Sequence, residues 1–215
     1  MRGTISGKLD PTSFEKGNLK SAGEIRAKVF GGDVIFSDLG ASGLFTGTPV
    51  FRLNARWKNV ILSELTAGTS FGKIEGVLNG YAKDLEISHG QPQKFDLLLE
   101  TVERDGLPQR ISVKAVDNIA RIGGGQSPFI GIAGLFSSFF REFPYKKIGV
   151  HATLENDIFK MNGTIKEGGQ EYFVKRGLFS GVDVVNQSPD NRVSFKDMVK
   201  RIKRVTASES GPIIK

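Results

Sequence analysis

The chain has 215 residues, of which 30 are Lys or Arg, 23 are Asp or Glu and none is Cys. This length suits one large all-β or mixed domain, or two small domains, with a sizeable core. The lack of cysteine excludes disulfides and thiolate metal sites, and the net charge of +7 favours an anionic partner, whether phosphate, nucleic acid or lipid headgroup.

The N-terminal sequence MRGTISGKLD has no apolar stretch typical of a signal peptide. No window of the chain is apolar over the roughly 20 residues that cross a bilayer. We therefore expect either a cytosolic protein or a piece of a longer protein whose targeting segment lies outside this sequence.

The first half of the chain predicts strands. Three similar segments, Gly3 to Leu9, Gly23 to Val29 and Gly72 to Leu78, each alternate a small or aliphatic residue with a polar one. This two-residue period is typical of a strand with one narrow apolar face. Leu62 to Ala67 has the length of a single helical turn.

The clearest strand covers residues 49 to 58, PVFRLNARWK. Phe51, Leu53 and Trp57 fall on one face, and the charged residues between them fall on the other. A hairpin is predicted next, from Lys94 to Glu103 and back from Arg110 to Ala115, with a turn at Asp105 and Gly106. Its expected inner residues are Phe95, Leu97, Leu99, Ile111 and Val113.

The most apolar segment of the chain runs from Ile119 to Pro144, IARIGGGQSPFIGIAGLFSSFFREFP. Ser127 and Pro128 suit a helix start, so a helical insertion is predicted at about residues 117–143. It is either a buried core helix or a helix that contacts lipid, since it is too short to cross a bilayer. The helical spacing of its apolar residues predicts one face that includes Phe129, Ile132, Phe136, Phe139 and Phe140. Gly123, Gly124 and Gly125 are the predicted hinge.

Strands are predicted to resume after Pro144, with inner residues Ile148, Val150, Phe159 and Met161. The pattern as a whole predicts about nine or ten strands of antiparallel meander within a domain of residues 1–187. A basic amphipathic helix is then expected within residues 188–205, with Ser194 at its N-cap, followed by a flexible tail at 206–215. Its exposed cations are expected to be Lys196, Lys200, Arg201, Lys203 and Arg204.

A catalytic site is not predicted. His89 lies in an expected turn, and His151 lies on the polar side of a strand with no Cys, Asp or Glu at ligand spacing. The segment GGGQSP lacks the Lys and Ser/Thr of a phosphate-binding loop. We therefore expect no metal site, no cofactor and no enzymatic activity. Nucleic-acid binding has only the C-terminal basic helix in its favour, because the strands lack an aromatic platform for bases.

Three segments together resemble the C-terminal region of AsmA-like and TamB-like envelope proteins, including YdbH-type members. They are FGKIEGVLNGYAKDLEISHGQPQKFDLLLETV, RISVKAVDNIARIGGGQSPFIGIAGLFSSFFREFPYKKIG and LFSGVDVVNQSPDNRVSFKDMVKRIKRV. The resemblance implies a single long, curved antiparallel sheet, a U-shaped β-taco whose inner face is an apolar groove. It also implies transfer of phospholipid between the membranes of Gram-negative bacteria. The chain is shorter than such bridges and lacks their anchor helix, which predicts a C-terminal part or a remnant.

The predicted function is therefore a non-enzymatic module that binds or conducts phospholipid acyl chains, in the periplasm or at the inner membrane as part of a longer envelope protein. The apolar helix would act as a plug or gate of the groove, or would enter a membrane surface together with the C-terminal helix. An assembly scaffold that pairs a partner strand at its sheet edge is the alternative, and nucleic acid is not an expected ligand. The predicted groove lining is Phe51, Leu53, Trp57, Phe95, Leu97, Leu99, Ile111, Val113, Ile148, Val150, Phe159 and Met161.

Overall fold

A computed structural model describes residues 3–126, 128–129, 142–189 and 192–200. These residues are mainly β, as predicted, and their fifteen strands belong to one antiparallel sheet with few helices beside it. The longest path through the sheet runs β1-β4-β5-β6-β7-β8-β10-β11-β15. Within the described residues its two ends do not pair with each other, so the sheet is open.

The number exceeds the predicted nine or ten because six of the strands, β2, β3, β9, β12, β14 and β15, are only two to four residues long. The strands are β1 Thr4–Lys8, β2 Thr12–Glu15, β3 Asn18–Ser21, β4 Glu24–Val29, β5 Gly32–Ser42, β6 Val50–Ile61, β7 Val77–Ser88, β8 Gln91–Val102, β9 Arg110–Ser112, β10 Glu142–Glu155, β11 Ile158–Gly163, β12 Ile165–Glu167, β13 Gln170–Arg176, β14 Val184–Val185 and β15 Arg192–Ser194. Segment Gly72 to Leu78 was predicted as a strand, but β7 begins only at Val77.

Tight turns set the register of this meander. Lys16-Gly17, Phe30-Gly31, His89-Gly90 and Asn156-Asp157 each have positive φ at both residues and join two neighbouring antiparallel strands. Such turns match the right-handed twist of the strands that they connect. Each tight turn fixes the register of the two strands that it joins. Because neighbouring pairs share a strand, the register of one pair is carried over to the next.

Strand β10 joins the two parts of the sheet. Along one edge it pairs with β9 through Glu142 to Pro144 and with β8 through Gly149 to Leu154. Along its other edge it pairs first with β13 and then with β11. The predicted hairpin between residues 94–103 and 110–115 is therefore wrong, because β7 and β10 already occupy both edges of β8.

Helix α2, Val113–Ile122, begins where the sequence predicted strand. The Ser112 hydroxyl caps it by accepting a hydrogen bond from the Ala115 N–H at 3.3 Å. Val113 is thus the first residue of a helix, and the predicted strand face through Val113 does not form. The predicted insertion at about 117–143 also ends too late, since Glu142 and Phe143 already pair with β9.

The triple glycine ends α2. The Gly124 N–H donates to the Arg121 carbonyl at 3.1 Å, and the Gly125 N–H donates to the Ala120 carbonyl at 2.9 Å. Gly124 has φ of +83°, so the three glycines form a Schellman cap. They break the preceding helix, as predicted; no feature of the described residues tests the predicted hinge motion.

Helix α2 packs against β9, β13 and β14. Ile111, Val116, Phe173 and Val174 are fully buried there. The Tyr145 hydroxyl donates to the Glu75 carbonyl at 2.6 Å, and burial raises the pKa of this phenol well above its ordinary value. The one-turn helix α1, Leu62–Thr66, forms as predicted.

The C-terminal helix begins later than the predicted boundary of residue 188. Residues 192–194 form β15 on β11, and residues 195–200 are helical. The Ser194 hydroxyl accepts from the Asp197 N–H at 3.2 Å, which confirms the predicted N-cap. The predicted flexible tail at 206–215 lies outside the described residues.

Candidate functional site

Two rows of facing residues cross eight strands of the sheet without a polar side chain. The register pairs carry each row from β1 through β4, β5, β6, β7, β8 and β10 to β11. We call the side of the sheet that displays them the apolar face. The first row is Ile5, Ala27, Val34, Trp57, Gly80, Leu99, Val150 and Gly163. The second row is Gly7, Ile25, Phe36, Ala55, Ala82, Leu97, Ala152 and Met161.

The residues in the middle of the apolar face have short side chains. Ala55 and Ala82 stand side by side in the second row, and Ala152 follows beyond Leu97. Protein cores are packed without voids, so small side chains across a face mean that other atoms fill the space above them. All fifteen described strands belong to one sheet, so the cover is not a second sheet among the described residues. Ala55, Ala82 and Ala152 are nevertheless buried, and Ala152 belongs to one buried cluster with residues of α2 and with Met198.

The predicted groove lining falls mostly on this face. Trp57, Leu97, Leu99 and Val150 belong to its two rows, and Met161 ends the second. Phe95, Leu154 and Phe159 face one another along a third line of the same side. Ile148 lies two residues before Val150 on the same side of β10, and Leu53 pairs with Leu85 on β7.

Three predicted lining residues differ from the rest. Phe51 is 46% exposed, so it contributes little buried surface. Ile111 is buried, but on β9 opposite Phe143 rather than on a partner strand of β8. Val113 opens α2, as described above, and packs against the buried cluster from the helix. The lining therefore reduces to residues of β6, β8, β10 and β11.

Strands β4 and β5 add apolar residues that the sequence interpretation left out. Ile25 and Phe36 face each other, and Val34 lies between Ala27 and Trp57. The signal was present, since Val34 to Phe36 is a short apolar run between Asp33 and Ser37, just after the turn at Phe30 and Gly31.

Trp57 is the largest side chain of the two rows and the single tryptophan of the chain. A Cβ added at Gly80 would stand 2.9 Å from Cε2 and Cζ2 of its ring. The indole therefore lies across Gly80 on the apolar face. Its Nε1 is buried and finds no hydrogen-bond acceptor among the described residues.

The opposite side of the sheet is largely polar. Glu24 accepts hydrogen bonds from Arg26 at 2.8 Å and from Arg56 at 3.0 Å. His151 on β10 lies 2.8 Å from the Asp96 carboxylate of β8, a neighbour across strands that spacing along the sequence did not reveal. The pairs of Arg56 with Glu24 and of His151 with Asp96 join different strands at a solvated face, whereas Arg26 and Glu24 lie on the same strand.

Among the described residues of the polar face, these charged pairs lie near the surface. His151 and Asp96 are both well exposed, and burial, with the nearby Asp96 carboxylate as a second cause, raises the pKa of the neighbouring Tyr81. Across the described residues no group of three or more His, Cys, Asp or Glu side chains is arranged to bind a metal ion.

The predicted plug residues are placed only in part. Phe129 is buried, and its ring stacks on Phe143 with centroids 5.6 Å apart. Ile132, Phe136, Phe139 and Phe140 lie outside the described residues, so their position over the apolar face stays a prediction.

The C-terminal helix packs one side on the protein. Met198 is buried in the same cluster as Val150 and Phe159, with Phe195 and Val199 partly buried beside it. Lys196 and Lys200 are exposed, and Lys200 pairs with Asp197 at 3.0 Å. Arg201, Lys203 and Arg204 lie outside the described residues.

Among the described residues, no helix combines the length and the apolar character that spanning a membrane would require. Comparison with family models, with curated proteins and with solved structures finds no match to this chain.

Proposed function

We propose that this chain is a lipid-binding module, which holds phospholipid acyl chains against the apolar face of its sheet. The supporting observation is the pair of rows that cross eight strands without a polar side chain, with alanine and glycine at their centre. An acyl chain that packs against this face would gain about 0.8 kcal/mol per buried CH₂.

The resemblance to AsmA-like and TamB-like proteins points to the same function. It adds that the sheet curls into a U-shaped groove and that the chain is part of a longer envelope protein in the periplasm or at the inner membrane. The groove does not require a specific headgroup contact, because the interaction is made by the tails. We accordingly propose phospholipid as the ligand, with a membrane surface or an envelope protein as donor or acceptor of it.

A pair of variants on one strand tests the proposal. Leu97→Glu places a carboxylate on the apolar face, whereas Leu98→Glu places the same charge one residue away on the polar face, opposite Tyr81 and His151. Both leucines are half-buried, but only Leu97 packs against the buried cluster, so circular dichroism first establishes that both variants fold. Val150 is unsuitable, because a carboxylate at this buried position would destabilise the fold itself.

The readout is the phospholipid that copurifies with the protein from bacterial membranes, extracted and quantified by mass spectrometry. We expect Leu97→Glu to lower lipid occupancy about tenfold or more, since a desolvated carboxylate costs well over 1.4 kcal/mol. Leu98→Glu should bind like the wild type. Equal occupancy in both variants, or no lipid in the wild type, would contradict the proposal.

Strand pairing with a partner is the second candidate function, and one observation favours it. All five residues of the edge strand β1 are exposed, and Ile5 is 77% exposed. Such an edge can accept an added strand from another chain. Cross-linking from a photoreactive residue at Ser6 would capture that partner, and its absence would remove this candidate.

A further inference from the structure

The indole N–H of Trp57 is a buried donor on an otherwise apolar face. A Cβ at Gly80 would point out of the sheet on this face, and Cε2, the ring atom bonded to Nε1, is only 2.9 Å from that position. Nε1 therefore lies just above the sheet, over β7, between the side chains of Val34 and Leu99 in the first row.

This donor has no acceptor among the described residues and no contact with solvent. Folded proteins satisfy the great majority of their buried polar groups, and an unpaired donor costs about 1–3 kcal/mol. The neighbours of Trp57 in its row are Val34 and Gly80, and neither offers a side-chain oxygen. An acceptor must come from outside this part of the face.

We propose that the Trp57 N–H donates a hydrogen bond to the acyl carbonyl oxygen of the bound lipid. This inference rests on the proposed function and adds to it a polar contact that fixes where the acyl group begins along the face. An ester carbonyl of a phospholipid and the carboxylate of a free fatty acid offer the same acceptor. An ether-linked lipid lacks this carbonyl, and its ether oxygen is a weaker acceptor.

The chemistry of the ligand suits the geometry. The ester carbonyl stands at the boundary between the headgroup and the alkyl chain, so a single donor on an apolar face would align that boundary with Trp57. The chain would then extend along neighbouring small residues such as Ala55 and Ala82. A carbonyl without a partner at this depth would be unfavourable, which is why one donor suffices to select the position.

The test compares two lipids by isothermal titration with purified full-length chain. The probes are diheptanoyl phosphatidylglycerol, which has ester carbonyls, and the diheptyl ether analogue with the same headgroup, both below their critical micelle concentrations. The wild type should bind the ester about five to ten times more tightly, the worth of one hydrogen bond in a buried setting. Trp57→Phe retains the aromatic packing and should bind both lipids equally.

Each outcome separates the two proposals. Equal affinity of the wild type for both lipids, or an ester preference that survives in Trp57→Phe, overturns the role of Trp57 while the lipid-binding function stands. Binding of neither lipid overturns the function itself. Decanoate serves as a third ligand, and its binding with the same dependence on Trp57 would support the contact and identify free fatty acid as a ligand.

A second readout does not depend on the variant's folding. Trp57 is the single tryptophan, so the emission of the wild type reports this site alone. Ester lipid should shift the emission maximum more than ether lipid does, because its carbonyl is the stronger acceptor for the indole N–H. Identical shifts would contradict the proposal even where Trp57→Phe fails to fold.

Discussion

Thr101 offers the sharpest test of how β10 is attached to β8. The residue is only 5% exposed, and its hydroxyl accepts from the Ile148 N–H at 2.8 Å and donates to the Ile148 carbonyl at 3.3 Å. A side chain thus provides the pairing at the point where the backbone ladder between the two strands stops at Gly149. Thr101→Val keeps the shape of the side chain and removes both hydrogen bonds.

The expected loss follows from the groups left behind. The buried Ile148 N–H would have no acceptor, which costs about 1–3 kcal/mol. Part of this cost is offset, because the variant no longer has to remove water from the Thr101 hydroxyl on folding. We therefore expect the free energy of unfolding to fall by about 2 kcal/mol. For a chain of this length, that corresponds to a Tm about 4–8 °C lower.

Urea denaturation followed by circular dichroism and by Trp57 emission measures this loss. Thr153→Val is the matched control, because Thr153 lies on the same strand β10 but on the polar face opposite Asp96. The control should change the free energy of unfolding by less than about 0.5 kcal/mol. If Thr101→Val is equally neutral, the hydroxyl does not link the two strands as described.

Two further predictions concern the helix cap and the β11–β13 junction. Gly124→Ala should lower the free energy of unfolding by about 1–2 kcal/mol, since φ of +83° is unfavourable for alanine. Gly106→Ala is the control, because Gly106 is an exposed turn glycine at φ of +78°. Thermal unfolding of the two variants shows whether the Schellman cap adds to the cost at Gly124. Although burial of Glu171 opposes ionisation, hydrogen bonds from Asn186, Gly163 N and Asn162 lower its pKa. The ionised form thus stabilises the fold above about pH 4.3 and loses that effect as the pH falls through the lowered pKa. Glu171→Gln should therefore be less stable than the wild type at pH 7 and differ less at pH 3 in urea titrations; a difference independent of pH would contradict the assignment.

Strand faces were predictable where the alternation is unbroken. Phe95, Leu97 and Leu99 share a face as expected, because nothing interrupts β8 between them. The pairing partner was not predictable from the same pattern. Asp105 and Gly106 suggest a hairpin, yet β9 pairs with β10, since the edge of β8 facing that way is already occupied.

The start of α2 shows a second limit. Ile111, Val113 and Ala115 alternate like a strand, but Val113, Val116 and Ala120 also follow helical spacing. Both periods fit a short apolar run, and tertiary packing decides between them. The capping serine at position 112 was the local signal for the helix.

Irregular residues explain how the apolar face continues across strands whose own alternation breaks. Asp38, Asn59 and Asp84 have positive φ and stand at register shifts in β5, β6 and β7. Each extra residue moves the side chains that follow to the other side of the strand.

These shifts preserve the apolar face instead of ending it. On β7, Gly80 and Ala82 precede Asp84, and Leu85 follows it opposite Leu53. With uninterrupted alternation, Leu85 would fall on the polar side, away from the even-numbered residues before it. The bulge at Asp84 therefore keeps Leu85 on the side where Leu53 lies. An apolar face that continues through such irregular positions is required by the buried cluster on this side of the sheet and is also what the proposed lipid binding would need.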